Sequence, residues 1–214
     1  MSEEKKPLRY WARYAGSDGR WRVNPATGKA GPPPGEDLAV LRSGLGREAG
    51  TVMAMWPFYV CEPDDRLAAR DEVSARQKAE HGALALFGLH QQSQDRPMHR
   101  RGVSVGEALR HLRDSGRFSE QALDARVNAA ATSTHGAALL VHLRGLVTQL
   151  RTAGEPLDYG LLEADLRDFQ WPQGRARVRR RWGISYYGWR PAAPAAQNTA
   201  GAGPGSGPGP ATAS

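Results

Sequence analysis

The stretch from Ser104 to Gly116, SVGEALRHLRDSG, limits the fold more than any other. Ser104 and Glu107 have the spacing of a capping box, in which each side chain accepts a hydrogen bond from the other residue's backbone N–H. Behind it Val105, Ala108, Leu109 and Leu112 recur at i, i+3, i+4 and i+7, and Gly116 supplies a stop. This is one face of an amphipathic helix, which folds only against other helices or a sheet. The same period returns in HGAALLVHLRGLVTQLRTAG, where Leu139, Leu143, Leu146, Val147 and Leu150 share a face and Gly154 ends it, while Arg144 and Arg151 share another. After Pro156, Asp158 is a candidate N-cap for a helix that turns Leu162, Leu166 and Phe169 inward. Residues 64–90 read as one long or broken helix, begun by Asp64 and Asp65 where the helix dipole favours negative charge, with Gly82 and Gly88 as candidate breaks. No stretch alternates with period two and carries β-branched residues. The expected class is therefore all-α, a compact bundle of roughly seven to nine helices with a disordered C-terminal tail.

Three stretches read as loop or linker. Residues 16–35 are dense in Gly and Pro and predict an exposed insertion, and 91–102 (QQSQDRPMHRRG) predict a polar, basic connector. Residues 191–214 are Pro, Ala and Gly of low complexity, with too little apolar surface to offset the entropy of ordering them. One helical domain over 1–190 followed by a disordered tail is the expected organisation.

The longest apolar run, Val52–Cys61, is interrupted by Pro57 and falls short of the ~18–20 residues that cross a bilayer. The opening MSEEKK lacks the pattern of a secretory signal, so a cytoplasmic protein without a membrane partner is expected. The single cysteine, Cys61, has no second thiol for a disulfide or a thiolate zinc site and reads as core. No phosphate loop, zinc helix or nucleophile turn is present. GLGREAG, Gly44–Gly50, has no strand before it to make a dinucleotide turn. His135 and His142 suit surface or capping roles, and Glu163 and Asp165, two apart on a helix, point in different directions. No catalytic set and no cofactor follow.

Charge is the remaining signal. The net charge is +7, and Gln170–Arg190 holds six arginines and no acid. Its densest part, GRARVRRRWG, carries Arg175, Arg177, Arg179, Arg180 and Arg181, a field that attracts polyanions. With Val178 and Trp182 facing inward, these five would fan out around one helix, so only some can face one strand. Arg96, Arg100 and Arg101 with His99 form a second basic cluster. Solvated helix faces, and the codon bias of a GC-rich genome, produce arginines too. Trp182, Tyr186 and Trp189 recur at i, i+4 and i+7, the spacing of a core stripe or of a platform for stacked bases, and core is preferred.

From Gly102 onward the chain resembles a known family. GVSVGEAL (Gly102–Leu109), SGR (Ser115–Arg117), Arg126-Val127, LRGL (Leu143–Leu146), PLDY (Pro156–Tyr159) and Trp171 appear in the order found in CasB, the small subunit of the type I-E CRISPR effector complex Cascade. AMWPFY (Ala54–Tyr59) matches the earlier half more weakly, and the 16–35 insertion and the tail depart from the pattern. The resemblance implies an all-helical, non-catalytic subunit without cofactor, present in two copies beside the large and backbone subunits. It implies arginines that hold guide RNA and target DNA by their backbones, since base pairing reads the sequence. Carried over by position, the candidates are Arg126, Arg144, Arg101, Arg100 and Arg42, then Arg96 and the 175–181 run. A helix-turn-helix regulator over residues 104–132 is the alternative, although its second helix is rich in alanine and offers little beyond Arg126 and Asn128 to read bases.

Overall fold

The computed structural model describes residues 7–24 and 28–189. Among these residues all regular structure is helical: α1 (Tyr10–Tyr14), α2 (Gly35–Ser43), a 3-10 turn (Met53–Phe58), α3 (Asp65–Ala68), α4 (Ala75–Gln91), α5 (Val105–Asp114), α6 (Glu120–Thr132), α7 (Gly136–Ala153), α8 (Tyr159–Asp168) and α9 (Pro172–Tyr186). The all-α expectation holds. The stretch 191–214 lies outside the described residues.

Helix α4 is the central element and packs on α2, α7 and α8, while α5 and α6 each pack on α7 and α9. Residues Ala79–Gly88 of α4 are buried without a break, so it has no wet face over that length. Gly82 and Gly88 do not break it. A Cβ on Gly82 would lie 2.8 Å from Leu140 Cδ2, and one on Gly88 would lie 2.7 Å from Leu41 Cβ and 3.0 Å from the Leu38 carbonyl oxygen. The two glycines let α7 and α2 approach closely. The break falls instead at residues 69–74, where Asp71 takes a left-handed backbone with φ of 56°. Ser74 then restarts the chain with a reciprocal box, its hydroxyl accepting from Gln77 N–H and the Gln77 side chain from Ser74 N–H.

The predicted stripes of α5, α7 and α8 are all buried. Ser104 accepts from Glu107 N–H at 3.2 Å, Asp158 from Gly160 and Leu161 N–H, and Gly154 closes α7 with φ of 69°. Burying each Leu removes about 1.5–3 kcal/mol worth of apolar surface from water, and Leu109, Leu112, Leu139, Leu143, Leu146, Leu150, Leu162 and Leu166 meet in one core. Cys61 is buried, as expected.

Polar bonds fasten the N-terminal segments to this core. The fully buried Glu80 carboxylate accepts from Val60 N–H and Cys61 N–H, both at 2.7 Å, and from Arg9 at 2.6 Å. Arg9 also pairs with Glu163. The connector 91–102 is less open than its composition implies. Leu157 N–H donates to the Met98 carbonyl, Arg100 N–H to the Leu157 carbonyl, and Gly102 N–H to Asp158. Pro97, Met98 and His99 are buried. Among the described residues of the insertion most side chains are exposed, yet Trp21 Nε1–H donates to the Asp95 carbonyl and ties it to that connector.

Candidate nucleic-acid interface

Helix α9 opens with Pro172 in its first turn and buries Gly174, Val178, Trp182 and Tyr186. Two carboxylates hold that stripe in place. Asp165 accepts from Trp182 Nε1–H at 2.6 Å, and Asp124 accepts from the Tyr186 hydroxyl at 2.5 Å. Burial pushes the Asp165 carboxyl above its ordinary range, against the opposing pull of the Trp182 and Arg181 donors. Trp182 and Tyr186 are thus core, whereas Trp189, expected with them, is 64% exposed because the helix ends at Tyr186.

The arginine run divides into two groups. Arg179 reaches back to the C-terminal end of α6, donating to the Ala131 carbonyl at 2.5 Å and the Ser133 carbonyl at 3.1 Å. Helix ends leave such carbonyls without intrahelical donors. Arg181 donates to Asp165 through Nε at 3.2 Å and also reaches Asp168. Arg175 donates to the Phe169 carbonyl at 3.5 Å. Arg177 and Arg180 are exposed, and their guanidinium groups make no hydrogen bond or ion pair among the described residues. Three residues apart, and followed by Ile184 at i+7, they form the outer ridge of α9, opposite the buried stripe. Beyond them Tyr187 is 65% exposed, its ring fixed beside Tyr186 and 5.7 Å from the Arg113 guanidinium.

The other candidates are dispersed. Arg96 is exposed, and its guanidinium donates to the Gly154 carbonyl at the end of α7. His99 adds no charge to its cluster: burial lowers its pKa, outweighing Asp158 at 3.9 Å. Arg100, Arg101 and Arg126 are exposed, their guanidinium groups without hydrogen bond or ion pair among the described residues, and Arg42 is half-buried in the last turn of α2. His135 is a cap, its Nδ1 accepting from Ala138 N–H at 3.2 Å. Glu163 and Asp165 point apart, to Arg9 and to Trp182.

Arg144 occupies different ground from Arg126. It follows Leu140 by one turn, on the flank of α7 that meets α4, and lines a groove of about 570 Å³ with Arg47 and Lys78. Arg126 does not line it. Arg47 and Lys78 escaped the sequence reading, because Arg47 sits in the GLGREAG turn and Lys78 is an isolated lysine in the first turn of α4. Among the described residues no group of three or more His, Cys, Asp or Glu could hold a metal ion, and no helix is long and apolar enough to cross a membrane.

A family model for the CRISPR-associated protein Cse2 matches residues 37–187, from α2 to just past α9. The chain belongs to the Cse2 family. CasB from Thermobifida fusca is 34% identical, with a TM-score of 0.56, and the match covers 72% of this chain and 84% of that one. A Cse2-family CRISPR-associated protein from Thermus thermophilus shares the fold at 21% identity and a TM-score of 0.53, over 72% of this chain and 86% of that one. A chain of a structure described as a CRISPR RNA-guided surveillance complex does so at 19% identity and a TM-score of 0.54, over 72% and 84%. A search of curated proteins returned no match. The Cse2 match includes Arg177, Arg180 and the groove, and leaves the 16–35 insertion outside.

Proposed function

We propose that this Cse2-family protein is the small subunit of a type I-E CRISPR surveillance complex, Cascade. In this reading it is a cytoplasmic, non-catalytic protein that sits beside the large and backbone subunits with a second copy of itself. It grips guide RNA and target DNA, both the hybrid and the displaced strand, through their backbones. The observation that carries the reading is the outer ridge of α9. Two arginines whose guanidinium groups have no internal partner stand there, with Tyr187 and Trp189 exposed just past the end of the same helix, and free cations together with aromatic faces are the chemistry that holds single strands without reading sequence. Arg42, Arg100, Arg101 and Arg126 are further backbone contacts in this reading, dispersed over other elements. Arg175, Arg179 and Arg181 support the ridge by fixing α9, and Arg96 braces α7.

The test is a salt titration of oligonucleotide binding by the full chain and by Arg177→Ala/Arg180→Ala. Each phosphate contact on a single strand contributes about 0.7 to the slope of log K against log salt, so the double variant should lose about 1.4. Its melting temperature should stay that of the parent, since neither side chain has an internal bond to lose. Unchanged affinity and slope would refute the assignment. A strong preference for one duplex sequence would point instead to the helix-turn-helix reading of residues 104–132.

A further inference from the structure

We propose that the groove between α7 and the turn after α2 docks an acidic segment of a protein partner, with an aliphatic side chain on its floor and carboxylates on its rim. The floor is built from Gly82, whose missing side chain leaves room for Leu140 of α7, and from Leu140 itself, while Val141 forms part of the wall. Val141 is 70% exposed and lines the same groove as the basic residues Arg47, Lys78 and Arg144. Exposed apolar surface rimmed by polar groups marks a protein contact. The rim carries Arg47, Lys78 and Arg144, all exposed and with side-chain cations that make no hydrogen bond or ion pair among the described residues, against a single acid, Glu48. The complement of such a rim is a segment with an excess of carboxylates.

A nucleic-acid strand fits the site poorly. No Phe, Tyr or Trp lines the groove, and its rings are those of His81, which is buried, and His135, which caps α7, so bases would find little aromatic surface on which to stack, and phosphates gain nothing from an aliphatic floor. About 570 Å³ is room for a few side chains of a docked segment. Helix-in-groove recognition places anchors at i and i+3 or i+4 in this way. Arg144 is therefore assigned to a protein contact and set apart from the α9 ridge, which does not line the groove.

The experiment is fluorescence anisotropy with the full chain and a labelled synthetic peptide of about twelve residues, carrying two leucines one helical turn apart among glutamates. Saturable binding is expected, weakened at least about tenfold by Val141→Asp and by Arg144→Glu, and weakened as much when the peptide's leucines become alanine or its glutamates lysine. Both protein variants should melt as the parent does, since both positions are exposed. Oligonucleotide binding by Val141→Asp should be unchanged, so failure here is separable from failure of the α9 ridge. No saturable binding up to roughly 1 mM, equal binding by Val141→Asp, or displacement of the peptide by a single-stranded oligonucleotide would each overturn the proposal.

Discussion

Glu80 gives the sharpest stability test, because three donors from two distant segments converge on a carboxylate with no exposed surface. Glu80→Ala leaves Val60 N–H and Cys61 N–H without an acceptor, at about 1–3 kcal/mol each if they stay dry. It also leaves Arg9 with only Glu163, and breaking a buried pair by removing one partner costs about 3–5 kcal/mol. These contributions overlap, so about 3–5 kcal/mol in total is expected. In a domain of this size each kcal/mol moves the melting temperature by about 2–4 °C, which gives a fall of roughly 6–20 °C. Glu80→Gln is the cleaner variant. It keeps the volume, but its amide can accept through one oxygen only and turns a second donor toward a donor, so it should lose at least about 2 kcal/mol. Urea denaturation followed by circular dichroism measures both, and Arg9→Met in a double-mutant cycle isolates the Arg9 share. A loss below about 1 kcal/mol for Glu80→Gln would refute the view that this carboxylate ties the N-terminal segments to α4.

Two further outcomes are expected. Burial holds His81, His90 and His99 below the ordinary histidine pKa of 6.5, His90 at about 3, so the unfolded chain takes up protons that the folded chain refuses. Their contribution is complete above pH 6.5 and is lost as pH falls; the urea midpoint should drop between about pH 7.5 and 5.5, and a rise would contradict the neutral, buried assignment. Gly88→Ala gains about 1 kcal/mol of helix propensity, yet its methyl group meets the Leu38 carbonyl and Arg42 backbone of α2. The overpacking should win, lowering stability by about 1–3 kcal/mol in the same denaturation experiment.

Helices α5, α7 and α8 were legible because each is wet on one side, so its apolar spacing and its caps are both written locally. Helix α4 was harder for the opposite reason. Buried on every side through its middle, it shows no stripe, and its glycines look like breaks until the side chains that fill their places are known. The connector 91–102 is polar in composition, but its polar atoms bond to Leu157 and Asp158, more than fifty residues on. Distance in sequence also hid the division of the arginine run. Val178 and Trp182 marked the inward face of α9, and the i, i+3 spacing could have singled out Arg177 and Arg180. Nothing local could show that Arg179 closes α6 or that Arg181 bonds to Asp165. The groove was invisible for the same reason, since Arg47, Lys78 and Arg144 come from three separate segments.

The bonds of Arg179 and Arg181 change what the chain's composition means. It holds 25 arginines and 4 lysines, a bias that invites explanation by phosphate binding or by genome composition alone. Arg179 spans two carbonyls of one helix end, and Arg181 spans two carboxylates, a reach that depends on a flat fork of several N–H groups. Lysine at these two places would leave the net charge at +7 and surrender that forked geometry. Part of the arginine content is thus carpentry, and a tally of cations overstates how much of this surface is free to meet a partner.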